Sequence, residues 1–208
     1  EMAERLSLRS QSKLRYAKST GVRISANDAE EIYILPGQRD KAIEIIRNWF
    51  TKDPGDTLTI CDEYFGLEDL WILNVLLSVK PKCKVYIMTS RKHQLDQGIA
   101  QPWDEAYRRY WQTNISSDQS PPLTEVVIVG SVITQKSPIH DRYWLTEYGG
   151  LKFGTSLNSL GITQESSITV LQSQIVKERQ IEIDRYLVER KREDAKGEKL
   201  LYSTFTLD

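Results

Sequence analysis

His140 and Arg142 lie two residues apart in the run 137–147, Ser-Pro-Ile-His-Asp-Arg-Tyr-Trp-Leu-Thr-Glu. Side chains of an extended strand alternate between its faces. His140 and Arg142 are therefore expected on one face, with Ile139, Asp141, Tyr143 and Leu145 on the other. An imidazole beside a guanidinium makes a poor core and a good receptor for an oxyanion. The planar fork of Arg142 holds two phosphate oxygens at once, and His140 can attack phosphorus or protonate a leaving oxygen. The plainer reading is an exposed histidine and a structural arginine bridging to Asp141 or Glu147. Farther on, Gly154, Ser156 and Asn158 alternate in the same way. They offer a close backbone approach, a hydroxyl and an amide for phosphate oxygens, or simply the cap of a turn. Asp62 and Tyr64 follow an apolar run, where open α/β sheets place their sites; a helix-capping role is the alternative.

These residues need a scaffold, and the apolar pattern supplies one. Strands are expected at residues 32–35, 57–61, 84–89 and 125–129. Helices are expected at 41–50, 67–79 and 103–113. This alternation predicts crossovers and a largely parallel sheet covered by helices. From residue 139 the texture changes to short strands at 139–146, 151–157 and 167–171, which read as a hairpin plus a third strand. A charged helix over 174–192 and a last strand at 200–206 close the chain. Trp103, Tyr107, Tyr110 and Trp111 form a helical stripe beside Arg108 and Arg109. Stacking on bases is conceivable for such a stripe, but packing on the sheet is the expectation. His93 falls in a polar Arg-Lys-His loop and receives no role.

The 208 residues, 39% hydrophobic and 27% charged, suit one domain with a modest extra element. The formal net charge of −1 advertises no polyanion over the whole chain. Its distribution is uneven: residues 2–23 carry six bases against Glu4, while residues 28–69 carry eleven acids against four bases. A basic arm over 1–24 and a domain over 25–208 are the expected division. Cys61 and Cys83 sit in apolar runs, far from either histidine, so neither a disulfide framework nor a metal site is expected, and a cytoplasmic location follows. The longest apolar run spans about ten residues, where a membrane helix needs ~20. Glu1 before Met2 reads as an expression or excision junction, so a longer native chain is expected.

Residues 138–172 resemble the signature half of a phospholipase D-like domain. The family motif runs His, any residue, Lys, four residues, Asp, six residues, then Gly-Ser-x-Asn. Here His140, Arg142 and Glu147 fall at that spacing, and six residues precede Gly154. Ser156 and Asn158 follow, with Thr155 inserted after the glycine. The Ile-His-Asp-Arg wording is similar to the phospholipase D-like domain that follows MIT domains in ESCRT-associated proteins, regarded as non-catalytic binders. It is similar also to bacterial domains reading His-Asp-Arg with a later Gly-x-Ser-Leu.

The resemblance implies an α/β fold, a mixed sheet flanked by helices on both faces. It implies His140 as nucleophile or general acid, Arg142 as phosphate clamp in place of the usual lysine, and Glu147 as an orienting carboxylate in place of aspartate. Because the chain holds one motif, an enzyme built from it implies a homodimer with a composite site. The leading expectation is a metal-independent, cofactor-free phosphodiesterase or nuclease acting on nucleic acid. The alternative is a binding module for a phosphate-bearing ligand, a membrane surface or a partner protein. A place in a larger protein assembly is a third expectation.

Overall fold

A computed structural model describes residues 15–17, 22–24, 30–52 and 55–208. Ten strands form one sheet: β1 (Arg15–Ala17), β2 (Val22–Ile24), β3 (Glu30–Ile34), β4 (Thr57–Cys61), β5 (Lys84–Ser90), β6 (Thr124–Ser131), β7 (Arg142–Leu145), β8 (Gly150–Phe153), β9 (Ser166–Leu171) and β10 (Leu200–Leu207). Their spatial order is β1-β2-β3-β9-β8-β7-β4-β5-β6-β10. The helices are α1 (Arg39–Lys52), α2 (Trp71–Val79), α3 (Arg91–Asp96), α4 (Trp103–Asn114) and α5 (Ser173–Leu187).

The sheet is mixed, as the resemblance implied, but less parallel than the alternation of elements suggested. Among the described strands, only the neighbours β4, β5 and β6 pair in parallel. The meander β7-β8-β9 inserts between β4 and β3, and β3 pairs with β9 antiparallel. A hairpin of local connections can enter the sheet wherever an edge is open, which the order of elements along the chain does not reveal. In the segment expected as a basic arm, β1 and β2 pair with each other and then with β3, so the described part extends the sheet. The rest of that arm lies outside the described residues.

Apolar spacing explains the layers. In α1, Ala42, Ile46, Trp49 and Phe50 are buried, four apolar positions on one helical face. Together with α2 and α4 they cover one face of the sheet around Ile60, Trp144, Leu151 and Phe153. The aromatic stripe belongs to this layer, since Trp103, Tyr107 and Trp111 are buried in it. On the opposite face, α5 brings Val176, Ile183, Tyr186 and Leu187 against Cys61, Met88, Tyr143 and Leu145. Alternation along β7 thus sends Tyr143 and Leu145 to one side and Trp144 to the other.

Several boundaries differ from the sequence reading. β7 begins at Arg142 because β4, its neighbour, ends at Cys61 opposite Tyr143, leaving residues 139–141 no ladder to join. β8 stops at Phe153: Gly154 N–H makes a last bond to Ser167 O, and Thr155 Oγ1 turns to Ser166 Oγ. α5 ends at Leu187, short of residue 192, and Arg190 follows with φ +51. The Arg-Lys-His segment expected as a loop is the helix α3, capped by Ser90 Oγ accepting from His93 N–H.

Candidate functional site

At its C-terminal end β4 runs into Asp62, Glu63 and Tyr64, and this turn is fastened to the end of β5. Asp62 N–H donates to Met88 O, and Glu63 O accepts from the Ser90 N–H and hydroxyl. Phe65 O accepts from Thr89 Oγ1 and from the Gln94 amide. The fastening matters because two consecutive acids of the turn each hold one of the chemically interesting side chains.

Glu63 holds His140. The Nδ1 of His140 lies 3.1 and 3.2 Å from the two carboxylate oxygens of Glu63. A carboxylate at Nδ1 selects the tautomer protonated there and leaves the lone pair of Nε2 free. The Glu63 side chain is only 11% exposed, whereas that of His140 is 65% exposed. The ring is thus anchored at its base and open at its tip.

Asp62 faces Arg142. Its Oδ1 accepts from Tyr64 N–H at 2.9 Å and lies 3.7 Å from Arg142 Nε. Burial pushes the Asp62 carboxyl up to about 6, against the lowering pull of the Tyr64 amide, the Arg142 charge and the Leu157 amide. The Arg142 guanidinium stacks 5.0 Å from the centre of the Tyr64 ring and reaches Gly154 O at 3.5 Å through Nη1. Its buried Nε has no hydrogen-bond partner among the described residues. Glu63 is the main influence raising the Tyr64 phenol, with partial burial adding to it.

Arg142 opens into a cavity of about 400 Å³ whose wall includes Tyr64, His93, Gly154, Ser156 and Asn158. The structure thus brings together five of the expected residues: Tyr64, Arg142, Gly154, Ser156 and Asn158. The last three come from the turn after β8 rather than from a strand face. Ser156 Oγ donates to Asn158 Oδ1 at 2.7 Å, and Ser159 Oγ donates to the same oxygen at 3.1 Å. With its oxygen engaged, Asn158 is left with its amide N–H groups to offer, while Ser156 spends its own proton inside the turn.

Two expectations are corrected. His140 precedes β7 and is not part of the cavity wall, so it does not share a strand face with Arg142. The two are linked instead through consecutive Asp62 and Glu63. Glu147 is farther away still. Its Oε1 accepts from Thr57 N–H at 3.1 Å and from Thr57 Oγ1 at 2.9 Å. Thr57 begins β4, whereas Asp62 and Glu63 follow its end, so Glu147 braces the opposite end of the strand, roughly 15 Å away at strand rise. The reason is geometric: four residues of β7 separate the two sites, and an extended strand carries its ends apart.

Sequence reasoning missed Glu63 and His93. Glu63 was visible only as a neighbour of Asp62, and its contact with His140 spans 77 positions. His93 was hidden because the Ser90 cap of α3 went unread. It is 8% exposed and meets the Tyr64 ring edge-on at 5.7 Å. Burial pushes its imidazole pKa down, keeping the ring neutral. Among the described residues, no group of three or more His, Cys, Asp or Glu side chains is arranged to hold a metal ion. Among them, too, no helix is long and apolar enough to cross a membrane.

No protein-family model matches the sequence, and no curated protein matches it. Solved structures do match. NucT from Helicobacter pylori superposes with a TM-score of 0.53, covering 77% of this chain and 96% of that chain at 12% identity. Nuc from Salmonella typhimurium, described as a phospholipase D family member, gives 0.47 over 77% of this chain and 93% of that chain at 9% identity. The chain has the phospholipase D-like fold.

Proposed function

We propose that this chain is a phosphodiesterase of the phospholipase D-like type, acting on a phosphodiester of nucleic acid through His140 in a site completed by a second copy. The observation that carries the reading is the carboxylate of Glu63 on Nδ1 of an otherwise exposed His140. A base held in one tautomer, with its other nitrogen turned to solvent, is what nucleophilic attack on phosphorus needs. In the proposed reaction the Nε2 lone pair forms a bond to phosphorus while the bond to the leaving oxygen breaks. The leaving oxygen takes its proton from His140 of the partner subunit. Water then attacks phosphorus, releases Nε2, and returns its proton to the partner's His140. Arg142 neutralises the phosphoryl oxygens, the Asn158 amide and Gly154 turn line their approach, Ser156 fixes Asn158, and Asp62 and Tyr64 position the guanidinium.

The need for a second copy follows from charge. One chain sets a single guanidinium near Asp62 and Glu63, which is weak compensation for a phosphodiester. Two copies facing one another double the cations and supply the second imidazole. A specific observation favours the alternative of a phosphate-binding module: the cavity holds Arg142 but not His140. Cleavage of labelled single- and double-stranded DNA and RNA in EDTA separates the two. The enzyme reading expects turnover by the wild type, lost in His140→Ala and in Arg142→Ala. The binding reading expects no turnover, with affinity lost in Arg142→Ala alone.

A further inference from the structure

His93 stands at a junction. The cavity at Arg142 and a smaller one of about 140 Å³ share His93, Gln97 and Asn158 in their walls, so the two abut. The imidazole is 8% exposed. Its edge-on contact with Tyr64 is the ring contact it makes there.

The smaller cavity differs from the larger in chemistry. Leu67, Ile99 and Tyr110 give it an apolar and aromatic side, while Glu68 and Asp69 give it an acidic one. Asp69 is 1% exposed, and its Oδ1 lacks a hydrogen-bond partner among the described residues. A space of this size takes a six-membered ring, since an apolar cavity of about 150 Å³ admits benzene. The order of chemistry from Arg142 is therefore cation, polar neck of Asn158, Gln97 and neutral His93, then a pocket for a flat ring. That order matches the phosphate, sugar and base of one nucleotide.

We infer that the cleft past His93 is a base subsite, receiving one unstacked base of a nucleotide whose phosphate lies on Arg142. The inference rests on the phosphate reading of Arg142 but does not require that His140 turn anything over. A base bound this way is out of its stack, so the chain takes single strands or ends in preference to paired duplex. Unlike Arg142, the pocket contributes nothing to binding of a bare phosphate.

The test measures affinities of cytidine 5′-monophosphate, ribose 5-phosphate and inorganic phosphate by calorimetry, with amide shifts of Leu67 and Ile99 as a second readout. Cytidine 5′-monophosphate should bind about tenfold tighter than ribose 5-phosphate. It should shift Leu67 and Ile99, which phosphate leaves in place. Tyr110→Ala should reduce the gap to about threefold or less. Gly66→Ala, whose added Cβ falls 3.0 Å from His93 Nε2, should narrow the neck and do the same. Circular dichroism establishes that each variant is folded, and either one alone suffices. Equal affinity for the nucleotide and ribose 5-phosphate overturns the subsite and leaves the phosphate site standing. Failure of all three ligands to bind overturns both. Nucleotide binding with the expected gap, in a protein that cleaves no oligonucleotide, supports the subsite and removes only the catalytic reading.

Discussion

Asp69→Asn should make the protein more stable at neutral and alkaline pH and remove part of its pH dependence. Asp69 is 1% exposed, its Oδ2 accepts from Gly66 N–H at 2.9 Å, and its Oδ1 has no hydrogen-bond partner among the described residues. Burial pushes the carboxyl from 3.8 up to about 7, the Gly66 amide pulling back and the Asp62 charge raising it further. The sign follows from proton counting. Between about pH 4 and pH 7 the unfolded chain has released a proton that the folded chain still holds, so stability falls as pH rises through that window. At about 1.4 kcal/mol for each pH unit, the loss approaches ~4 kcal/mol above pH 7. Asparagine keeps the acceptor for Gly66 and never ionises. Asp62, raised in the same direction, is present in both proteins and largely cancels in their difference. Urea unfolding at pH 5, 6, 7 and 8, followed by tryptophan fluorescence, should show the advantage of Asp69→Asn growing by about 3 kcal/mol across the series. Parallel stability curves for the two proteins would refute the reasoning.

Other outcomes follow from the same contacts. Glu63→Gln removes the charge on His140 Nδ1 and should lower kcat by ~10–100-fold while leaving KM within about twofold, checked by steady-state cleavage kinetics. Arg142→Lys gives up the planar fork and the stacking on Tyr64, so KM or the phosphate dissociation constant should rise about tenfold; titration with inorganic phosphate reads it directly. Glu147→Ala breaks two bonds to Thr57 and should cost about 1 kcal/mol in urea unfolding with no change in turnover or phosphate affinity. A large loss of activity there would restore Glu147 to the site.

The layered architecture was legible because it rests on period. Ala42, Ile46 and Trp49 mark a helix face, Thr57–Cys61 a buried strand, and Tyr143 with Leu145 an alternating one, each readable within a few residues. The neighbours of those strands were not legible, since pairing of β3 with β9 joins residues far apart in the chain and leaves no local trace. The site divided along the same line. Arg142, Gly154, Ser156 and Asn158 come from one hairpin and its return, and their spacing alone suggested a common patch. Glu63 could not be found that way, because its contact with His140 depends on β7 lying antiparallel beside β4. Glu147 was misassigned for a complementary reason: spacing gives distance along the chain, and along an extended strand that is distance in space.

The position of Glu63 next to Asp62 has a consequence for chemistry. In the turn after β4 one acid faces His140 while the other faces Arg142. Under the proposed function, a phosphate settling on Arg142 would compete with Asp62 for the guanidinium, and the displaced carboxyl, already raised to about 6, would be protonated more readily. Glu63 would keep the imidazole as its partner. In that reading binding and chemistry would draw on separate carboxylates, so the anion would be accommodated without loosening the contact that holds His140. An arrangement in which one acid served both side chains would trade the orientation of the nucleophile against the affinity for its substrate.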